Sequence, residues 1–284
     1  MNPAEENPPR LPPTTEVDRR SAVQSTLSHR LPEDVRAFME RNRPRSHSPV
    51  SRFKVSAVGE TEGFDLIPGV NIEFPGTTLN ETVHGEQTVV AVAHARGVPR
   101  IDTFYLNAAP CGHCRQHIHE LATDPVIWLD GRPPQRLSAY LPDAFGPKDL
   151  GIEGGALSPN NHALQLEKSE HLADPAAALA LGFARRSYAP YTKAYGGVVF
   201  TLNDGRLCPG SYIENAGFNP SLSPFHSASA NLIANMQGSF DQIVKVTLVA
   251  VSSTAVDHLD PAKRLLRSVQ VACPVEMLTA VAAE

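Results

Sequence analysis

The sequence predicts an α/β protein made of two copies of one domain, each a mixed sheet flanked by helices in an α/β/α arrangement. Three observations predict this fold class. Strands alternate with helices along the chain, the alternation restarts after a segment rich in proline, glycine and asparagine at residues 132–168, and short sequences of the first half recur in the second. A chain of 284 residues is long enough to bury two modest cores.

The first half contains segments with helical and with strand-like apolar spacing, bounded by proline and glycine. Helical spacing is found over residues 31–42, 83–95 and 111–122. Strand-like runs are found over residues 53–59, 69–74, 101–108 and 126–129. This alternation favours a layered α/β domain over a helical bundle or a β-sandwich.

The second half repeats the alternation. Its predicted elements are a helix over residues 176–186, a strand over 195–202, a hairpin turn at 203–205, a helix over 227–236 and a strand over 244–252. The sequence R-S-H-S-P that begins at Arg45 is echoed by R-S-Y-A-P from Arg186. The echo indicates an internal duplication with too few copies for a solenoid. We therefore predict a flexible proline-rich tail (residues 1–30), a first domain (31–131), a linker (132–168) and a second domain (169–284).

Composition argues against two classes of partner. The net charge of −5 and the pI near 6.1 disfavour nucleic acid, because its binders usually carry a basic excess. No apolar run approaches the length of a membrane span, and the charged N-terminus lacks the apolar core of a signal peptide. Four cysteines, two of them close together, suit a metal or redox site better than a disulfide framework. We expect a cytoplasmic protein that binds neither nucleic acid nor membranes.

Two short motifs of the first half supply candidate zinc ligands. His84 lies in V-H-G-E-Q, and Cys111 and Cys114 lie in A-P-C-G-H-C-R-Q. Catalytic zinc takes three such ligands and leaves its fourth position to water. Two cysteines three residues apart on the first turn of a helix project from one face, and the helix N-terminus favours their thiolate forms. We predict one Zn²⁺ per chain.

Glu86 follows His84 by two residues and need not bind the metal. Zinc lowers the pKa of its bound water towards about 7. A nearby carboxylate can then move a proton from this water to a substrate ring nitrogen while the hydroxide attacks C4, an amidine-like carbon, and ammonia leaves. H-x-E followed by P-C-x-x-C is typical of zinc deaminases that act on nucleobases and nucleosides.

Each part of this pattern has an alternative explanation. A C-x-x-C pair can be a redox motif, and a structural zinc site would need a fourth protein ligand. His113, His117 and His119 are the candidates for that ligand. His113 lies between the cysteines and should point away from their face, while His117 and His119 are predicted to be solvated. Glu86 could be a surface carboxylate.

The sequence resembles the homodimeric, two-domain cytidine deaminases of enteric bacteria and plants over residues 48–251. The most specific stretches are A-A-P-C-G-H-C-R-Q (108–116), Y-L-P-D-A-F-G-P-K-D-L (140–150) and G-S-Y-I-E-N-A-G-F-N-P-S-L (210–222). The resemblance implies hydrolysis of cytidine and deoxycytidine to the uridine forms in pyrimidine salvage. It also implies a cytoplasmic homodimer with composite active sites.

The resemblance assigns further residues. It implies that His84, Cys111 and Cys114 bind zinc and that Glu86 shuttles the proton. Asn71 and Glu73 would hold the ribose hydroxyls, and Phe53 would pack on the pyrimidine ring, although an edge-strand polar pair and a core phenylalanine are the alternatives. Phe145 would reach into the active site of the partner subunit.

Two positions depart from the family pattern, and the second half departs further. Gly85 stands where the family has alanine, and Ser56 stands where it has glycine, which we expect near the pocket floor. In the second half, His226 falls where we expect the H-x-E motif, with Ala228 in place of the carboxylate. We therefore expect this half to be a degenerate, non-catalytic copy. Two alternatives remain: another cytosine-containing substrate, or a protein that binds zinc or nucleoside without turnover.

Overall fold

The computed structural model describes residues 29–63, 65–253 and 255–283. The predicted tail therefore lies outside the described residues, apart from His29 and Arg30. In the described ranges the α-helices are α1 (Glu33–Asn42), α2 (Gly85–Arg96), α3 (Gly112–His119), α4 (Leu137–Tyr140), α5 (Pro175–Arg185), α6 (Pro224–Ala230) and α7 (Leu259–Ser268). The strands are β1 (Ser56–Glu60), β2 (Leu66–Val70), β3 (Thr103–Leu106), β4 (Val126–Leu129), β5 (Gln135–Arg136), β6 (Leu164–Leu166), β7 (Gly196–Leu202), β8 (Leu207–Ser211), β9 (Ile243–Val251) and β10 (Val275–Ala282).

The strands form two five-stranded mixed sheets of the same design. The orders are β2-β1-β3-β4-β5 and β6-β10-β9-β7-β8. In each sheet the first hairpin is antiparallel, the third strand pairs antiparallel with the first, and the next strand pairs parallel with the third. A short antiparallel strand then closes the edge. The predicted fold class, a duplicated α/β domain, is confirmed.

The duplication extends to irregular backbone. His47 bridges Ile72, which bridges Val83, and Tyr188 bridges Ile213 with the same orientation. Leu222 completes the second set, in the position that Val83 holds in the first. These bridges fix which residues are equivalent in the two halves.

Most predicted elements are present, with three differences. The strand predicted over 69–74 is wrong: the paired strand is β2, and residues 71–74 leave the sheet because their polar side chains bind a neighbouring loop. The predicted linker adds an edge strand to each sheet, β5 and β6. The prediction missed α4, α7 and β10, and it gave no bounds for β8, the strand that follows the predicted hairpin turn. In α7, a short amphipathic helix, the inward face is formed by Ala262, Leu265 and Leu266.

The two halves share one core. One buried cluster contains Val89 and Val92 of α2 together with Phe225 and Leu232 of the second half. The ends of α2 and α5 also meet, because the Arg186 guanidinium donates to the His94 carbonyl and His94 Nε2 lies 3.0 Å from the Arg186 carbonyl. Within the described ranges, no helix combines the length and the apolar character needed to cross a membrane.

Candidate active site

The candidate metal ligands come from the first turns of two helices that meet at one end of the first sheet. His84 is the N-cap of α2, and Cys111 is the N-cap of α3, where its Sγ accepts a hydrogen bond from the Cys114 N–H at 3.4 Å. Gly69 lets β2 pack directly on α2, since a Cβ there would overlap the Gly85 carbonyl. The two helix starts are therefore fixed by capping and by close backbone packing.

The three predicted ligand atoms converge. His84 Nδ1 lies 3.4 Å from Cys111 Sγ and 3.2 Å from Cys114 Sγ, and the two sulfurs are 3.5 Å apart. Bonds of about 2.0–2.3 Å from one tetrahedral zinc ion would place its ligand atoms roughly 3.4–3.8 Å apart. Within the described residues these three form the one group of three or more His, Cys, Asp or Glu side chains close enough to hold a metal ion. The donor set and its spacing fit zinc.

Local electrostatics favour a thiolate at this site. A hydrogen bond from Cys114 and the nearby His84 ring lower the pKa of Cys111 to about 3. The pKa of His84 is in turn raised, mainly by its contact with Cys111. A thiolate at a helix N-terminus is the form that binds a cation.

Glu86 lies on the first turn of α2 and is buried, with 5% of its surface exposed. Burial raises the pKa of its carboxyl group, although hydrogen bonds from backbone and Cys114 oppose this effect. The alternative of a surface carboxylate is therefore wrong. A buried carboxylate with a raised pKa is a better proton acceptor than an ordinary glutamate.

Asn71 and Glu73 lie under the loop of residues 48–55, which carries Phe53. Asn71 Oδ1 accepts from the Val55 N–H at 2.9 Å, and Asn71 Nδ2 donates to the Phe53 carbonyl at 2.9 Å. Glu73 Oε2 accepts from the N–H groups of Val50 and Ser51 at 2.7 and 3.0 Å. Both side chains therefore hold the loop, and the Phe53 ring is 59% exposed at its surface rather than in a core.

The second half repeats the glutamate but not the asparagine. Glu214 Oε2 accepts from the N–H groups of Tyr191 and Thr192 at 2.8 and 3.3 Å, as Glu73 does in the first half. Tyr212, which is buried, occupies the position of Asn71. Loop support by this glutamate is thus common to both halves and does not depend on a metal site.

Phe145 lies near α3, on the 140–150 segment. Its ring is 50% exposed, and its carbonyl accepts from Gln116 Nε2 at 2.8 Å. The segment is therefore attached to the helix that carries both cysteines, while the aromatic ring extends outward.

The three histidines around the cysteines do not complete the ligand group. His113 packs edge-on against His84, with ring centroids 5.9 Å apart. The prediction that His117 is solvated is wrong: it is 1% exposed, and its Nδ1 lies 2.9 Å from the Pro220 carbonyl. Its position facing the second half, rather than its place on α3, explains this burial.

Sequence reasoning also missed Gln87 and Glu120. Gln87 Oε1 accepts from the His84 N–H at 2.9 Å, and its Nε2 donates to the Pro220 carbonyl at 3.3 Å. Glu120 is fully buried and accepts from the hydroxyls of Tyr188 and Tyr191 and from the Ala216 N–H. Burial raises the pKa of Glu120. A polar residue inside the apolar spacing of a predicted helix was the available signal for both.

The second half lacks counterparts of the His84 and Glu86 side chains, but in another register than expected. Since Leu222 is equivalent to Val83, the counterpart of His84 is Ser223, the N-cap of α6. Phe225 then replaces Glu86, and His226 takes the place of Gln87. The placement of His226 at the H-x-E position is therefore wrong.

The two departures from the family pattern lie on opposite sides of the first sheet: Gly85, on α2, packs against one face of β1, and the Ser56 side chain is on the other face. Gly85 faces Ala57, and a Cβ on Gly85 would lie 3.2 Å from the Ala57 Cβ. Ser56 points the other way, towards α1, because neighbouring strand residues alternate. A Cβ on its counterpart Gly197 would overlap the backbone of α5, the equivalent helix. The expectation that Ser56 lies near the pocket floor is wrong.

Comparison with known proteins agrees with this geometry. A family model described as "Cytidine and deoxycytidylate deaminase zinc-binding region" matches residues 33–130, and a second model with the same description matches residues 137–263. Cytidine deaminase of Photobacterium profundum is 37% identical over 238 residues, which cover 83% of this chain and 79% of that protein. Cytidine deaminase of Serratia proteamaculans is 39% identical over 213 residues, covering 74% of this chain and 70% of that protein.

Shorter solved structures are also similar. Cytidine deaminase from Mycobacterium tuberculosis is 29% identical, with 39% of this chain and 94% of that chain covered and a TM-score of 0.35. Cytidine deaminase from Burkholderia pseudomallei is 25% identical, with 40% of this chain and all (100%) of that chain covered and a TM-score of 0.36.

Proposed function

Because this chain belongs to the cytidine and deoxycytidylate deaminase family and catalyses zinc-dependent deamination of cytidine, we propose that Glu86 is its proton shuttle. The observation that carries this proposal is the convergence of the His84, Cys111 and Cys114 ligand atoms, all within 4.8 Å of one another, at the start of the helix that holds buried Glu86. His84, Cys111 and Cys114 hold the zinc ion.

The reaction replaces the C4–N bond of cytosine with a C–O bond. Bound zinc lowers the pKa of a water molecule and so supplies a nucleophile at neutral pH. The Glu86 carboxylate accepts a proton from this water and delivers it to the ring nitrogen beside C4. Glu86 then takes the remaining proton from the hydroxyl group now on C4 and passes it to the amino group, so that the C4–N bond breaks, ammonia leaves and the C4 carbonyl of uridine forms. The raised pKa of Glu86 suits both transfers, because an acid–base catalyst works best when its pKa is near the working pH.

The nucleoside would be held by the loop of residues 48–55 and the side chains beneath it. We assign Phe53 to the face of the pyrimidine ring, since its ring is exposed and aromatic rings stack favourably. We assign Asn71 and Glu73 to the ribose hydroxyls. In support, both side chains bind the backbone of the loop that carries Phe53. Deoxycytidine, which lacks only the 2′-hydroxyl, would also be accepted.

We further propose a homodimer in which Phe145 closes the active site of the partner subunit. The exposed Phe145 ring, on a segment attached to α3, supports this assignment. Sedimentation at micromolar concentration should give the mass of two chains, and Phe145→Ala should raise KM for cytidine. A monomeric protein with full activity would contradict the composite site. We also propose a role in pyrimidine salvage, because the reaction forms uridine. The cytoplasmic location stays a prediction.

The experiment is uridine formation from cytidine by wild-type protein and by Glu86→Gln. We expect kcat to fall by about 10²–10⁴-fold in Glu86→Gln, with one zinc ion still bound per chain. Glu167→Gln, a change at an exposed glutamate just after β6, is the matched control and should keep wild-type kcat. Zinc binding by the wild type without ammonia release would instead favour a protein that binds zinc or nucleoside without turnover.

A further inference from the structure

A segment of the second half crosses to the helices that carry the metal ligands. This segment, residues 215–220, is named here the Pro220 segment. Asn215 Nδ2 donates to the Gln116 carbonyl at 3.0 Å, and the Ala216 N–H donates to Glu120 at 2.8 Å. Both acceptors lie at the C-terminal end of α3 or just beyond it. The second half therefore contacts the cysteine helix through directed polar bonds.

The carbonyl of Pro220 joins two helices at one atom. It accepts from His117 Nδ1 on α3 at 2.9 Å and from Gln87 Nε2 on α2 at 3.3 Å. Both donor side chains are 1% exposed. A carbonyl oxygen has two lone pairs, so these two bonds use its full capacity. The helix that begins beside His84 and the helix that holds both cysteines are thus tied to the same point.

Gln87 also connects the Pro220 carbonyl to His84, the proposed metal ligand at the start of α2. Gln87 Oε1 accepts from the His84 N–H at 2.9 Å, so one amide side chain spans from the backbone of His84 to the Pro220 carbonyl. On α3, His117 lies one turn after Cys114, on the same face. A displacement of Pro220 would therefore move both parts of the ligand group.

The protonation state of His117 is compatible with a permanent hydrogen bond from its Nδ1 to the Pro220 carbonyl. Burial lowers the pKa of His117 to about 4, so the ring is neutral near pH 7. A neutral ring has one N–H, and the Pro220 carbonyl assigns it to Nδ1. Nε2 has no hydrogen-bond partner among the described residues, which agrees with an unprotonated nitrogen.

We propose that His117 and Gln87 are positioning residues, which hold the ligands on α2 and α3 in register by binding the Pro220 carbonyl of the second half. This inference rests on the zinc site proposed above. The degenerate half would then contribute to the reaction indirectly, because its Pro220 carbonyl is the hydrogen-bond acceptor that holds the two metal-binding helices together.

The test is zinc affinity, measured without substrate by competition with a chelator. His117→Phe keeps a ring but removes the donor, whereas His117→Asn keeps an N–H group near the Nδ1 position. We expect His117→Phe to raise the zinc dissociation constant about tenfold, as is usual when the support of a metal ligand is lost. His117→Asn should restore it to within about twofold. His258→Phe is the matched control, because His258 is also buried and its Nε2 binds the Ala194 carbonyl at 2.8 Å, away from α2 and α3.

A second variant covers the case in which His117→Phe folds poorly. Gln87→Met preserves chain length and removes both hydrogen bonds, and it should also weaken zinc binding. Because both residues act through one carbonyl, the double variant should lose less affinity than the product of the two single effects. In the Co²⁺-substituted protein, the visible absorption bands should shift in His117→Phe and stay unchanged in His258→Phe.

Unchanged zinc affinity in both His117→Phe and Gln87→Met would overturn the proposal, as would an equal loss in His258→Phe. Failure of the proposed function gives a different result, because a wild-type protein without deaminase activity would still report its metal affinity. Loss of affinity confined to His117→Phe and Gln87→Met, with rescue by His117→Asn, would support the positioning role.

Discussion

Replacing Gly69 with alanine tests whether the close approach of β2 to α2 sets the geometry of the active site. A Cβ on Gly69 would lie 2.2 Å from the Gly85 carbonyl oxygen and 2.5 Å from Cγ2 of Val89. Gly85 lies between His84 and Glu86, so the clash falls on the backbone that carries both groups. Cβ atoms essentially never approach another heavy atom more closely than 3.0 Å, so the first turn of α2 must move by about 1 Å.

We expect Gly69→Ala to lower kcat about 100-fold, because a misplacement of about 1 Å can have an effect of that size. Overpacking should also lower the free energy of unfolding by about 2–3 kcal/mol. Gly210→Ala is the matched control, since a Cβ there would lie 2.2 Å from the Ala228 backbone nitrogen on α6. That helix carries no proposed metal ligand, so stability should fall similarly while kcat changes by less than about fivefold.

The assay is kcat for cytidine per zinc-loaded chain, alongside urea unfolding of each variant. Normalising to bound zinc separates a displaced Glu86 from a lost metal ion. The reasoning is refuted if both variants lose the same activity. It is also refuted if Gly69→Ala keeps wild-type kcat despite a measured loss of stability, because the strain would then have been absorbed away from the first turn.

Two further predictions concern stability. Ser56→Ala should raise the free energy of unfolding by about 1 kcal/mol, because the buried Ser56 hydroxyl has no hydrogen-bond partner among the described residues; a loss of stability in urea unfolding would contradict this. Burial lowers the pKa of His94 to about 4, so its stabilisation is present above the unfolded-state pKa near 6.5 and is lost as pH falls towards 4. The loss should approach 3 kcal/mol (about 1.4 kcal/mol per pKa unit). His94→Gln should flatten the curve of unfolding free energy between pH 6.5 and 4, and an unchanged slope would exclude this histidine as the cause.

The zinc site could be predicted from sequence because its determinants are local. His84 and Glu86 share one helical turn, as do Cys111 and Cys114, and the chemistry of zinc specifies that these two turns meet. The helices were predicted for a similar reason, since capping residues and apolar spacing act within a few residues. Strand β4 was predicted with its observed ends, 126–129, because all four of its residues are apolar and polar or proline residues flank them.

The features that could not be predicted from the sequence depend on contacts between distant segments of the chain. The H-x-E motif was aligned on His226 because this residue is a histidine. The bridge between Ile213 and Leu222 instead makes Ser223 the counterpart of His84. His117 was predicted to be solvated because α3 alone leaves that face open, and the Pro220 segment covers it from 103 residues away. Asn71 and Glu73 were placed on a strand, but their bonds to the loop of residues 48–55 draw them out of the sheet.

The core shared by the two halves has a consequence for synthesis of the protein on the ribosome. Residues of α2 are buried partly by Phe225 and Leu232, which are made much later. At translation rates of roughly 5–20 residues per second, the roughly 100 residues between the first domain and Leu232 take about 5–20 s to appear. Throughout that interval the nascent first domain exposes an apolar face that only its own C-terminal half can cover. Efficient production in cells should therefore depend on chaperones that bind the nascent chain during this interval.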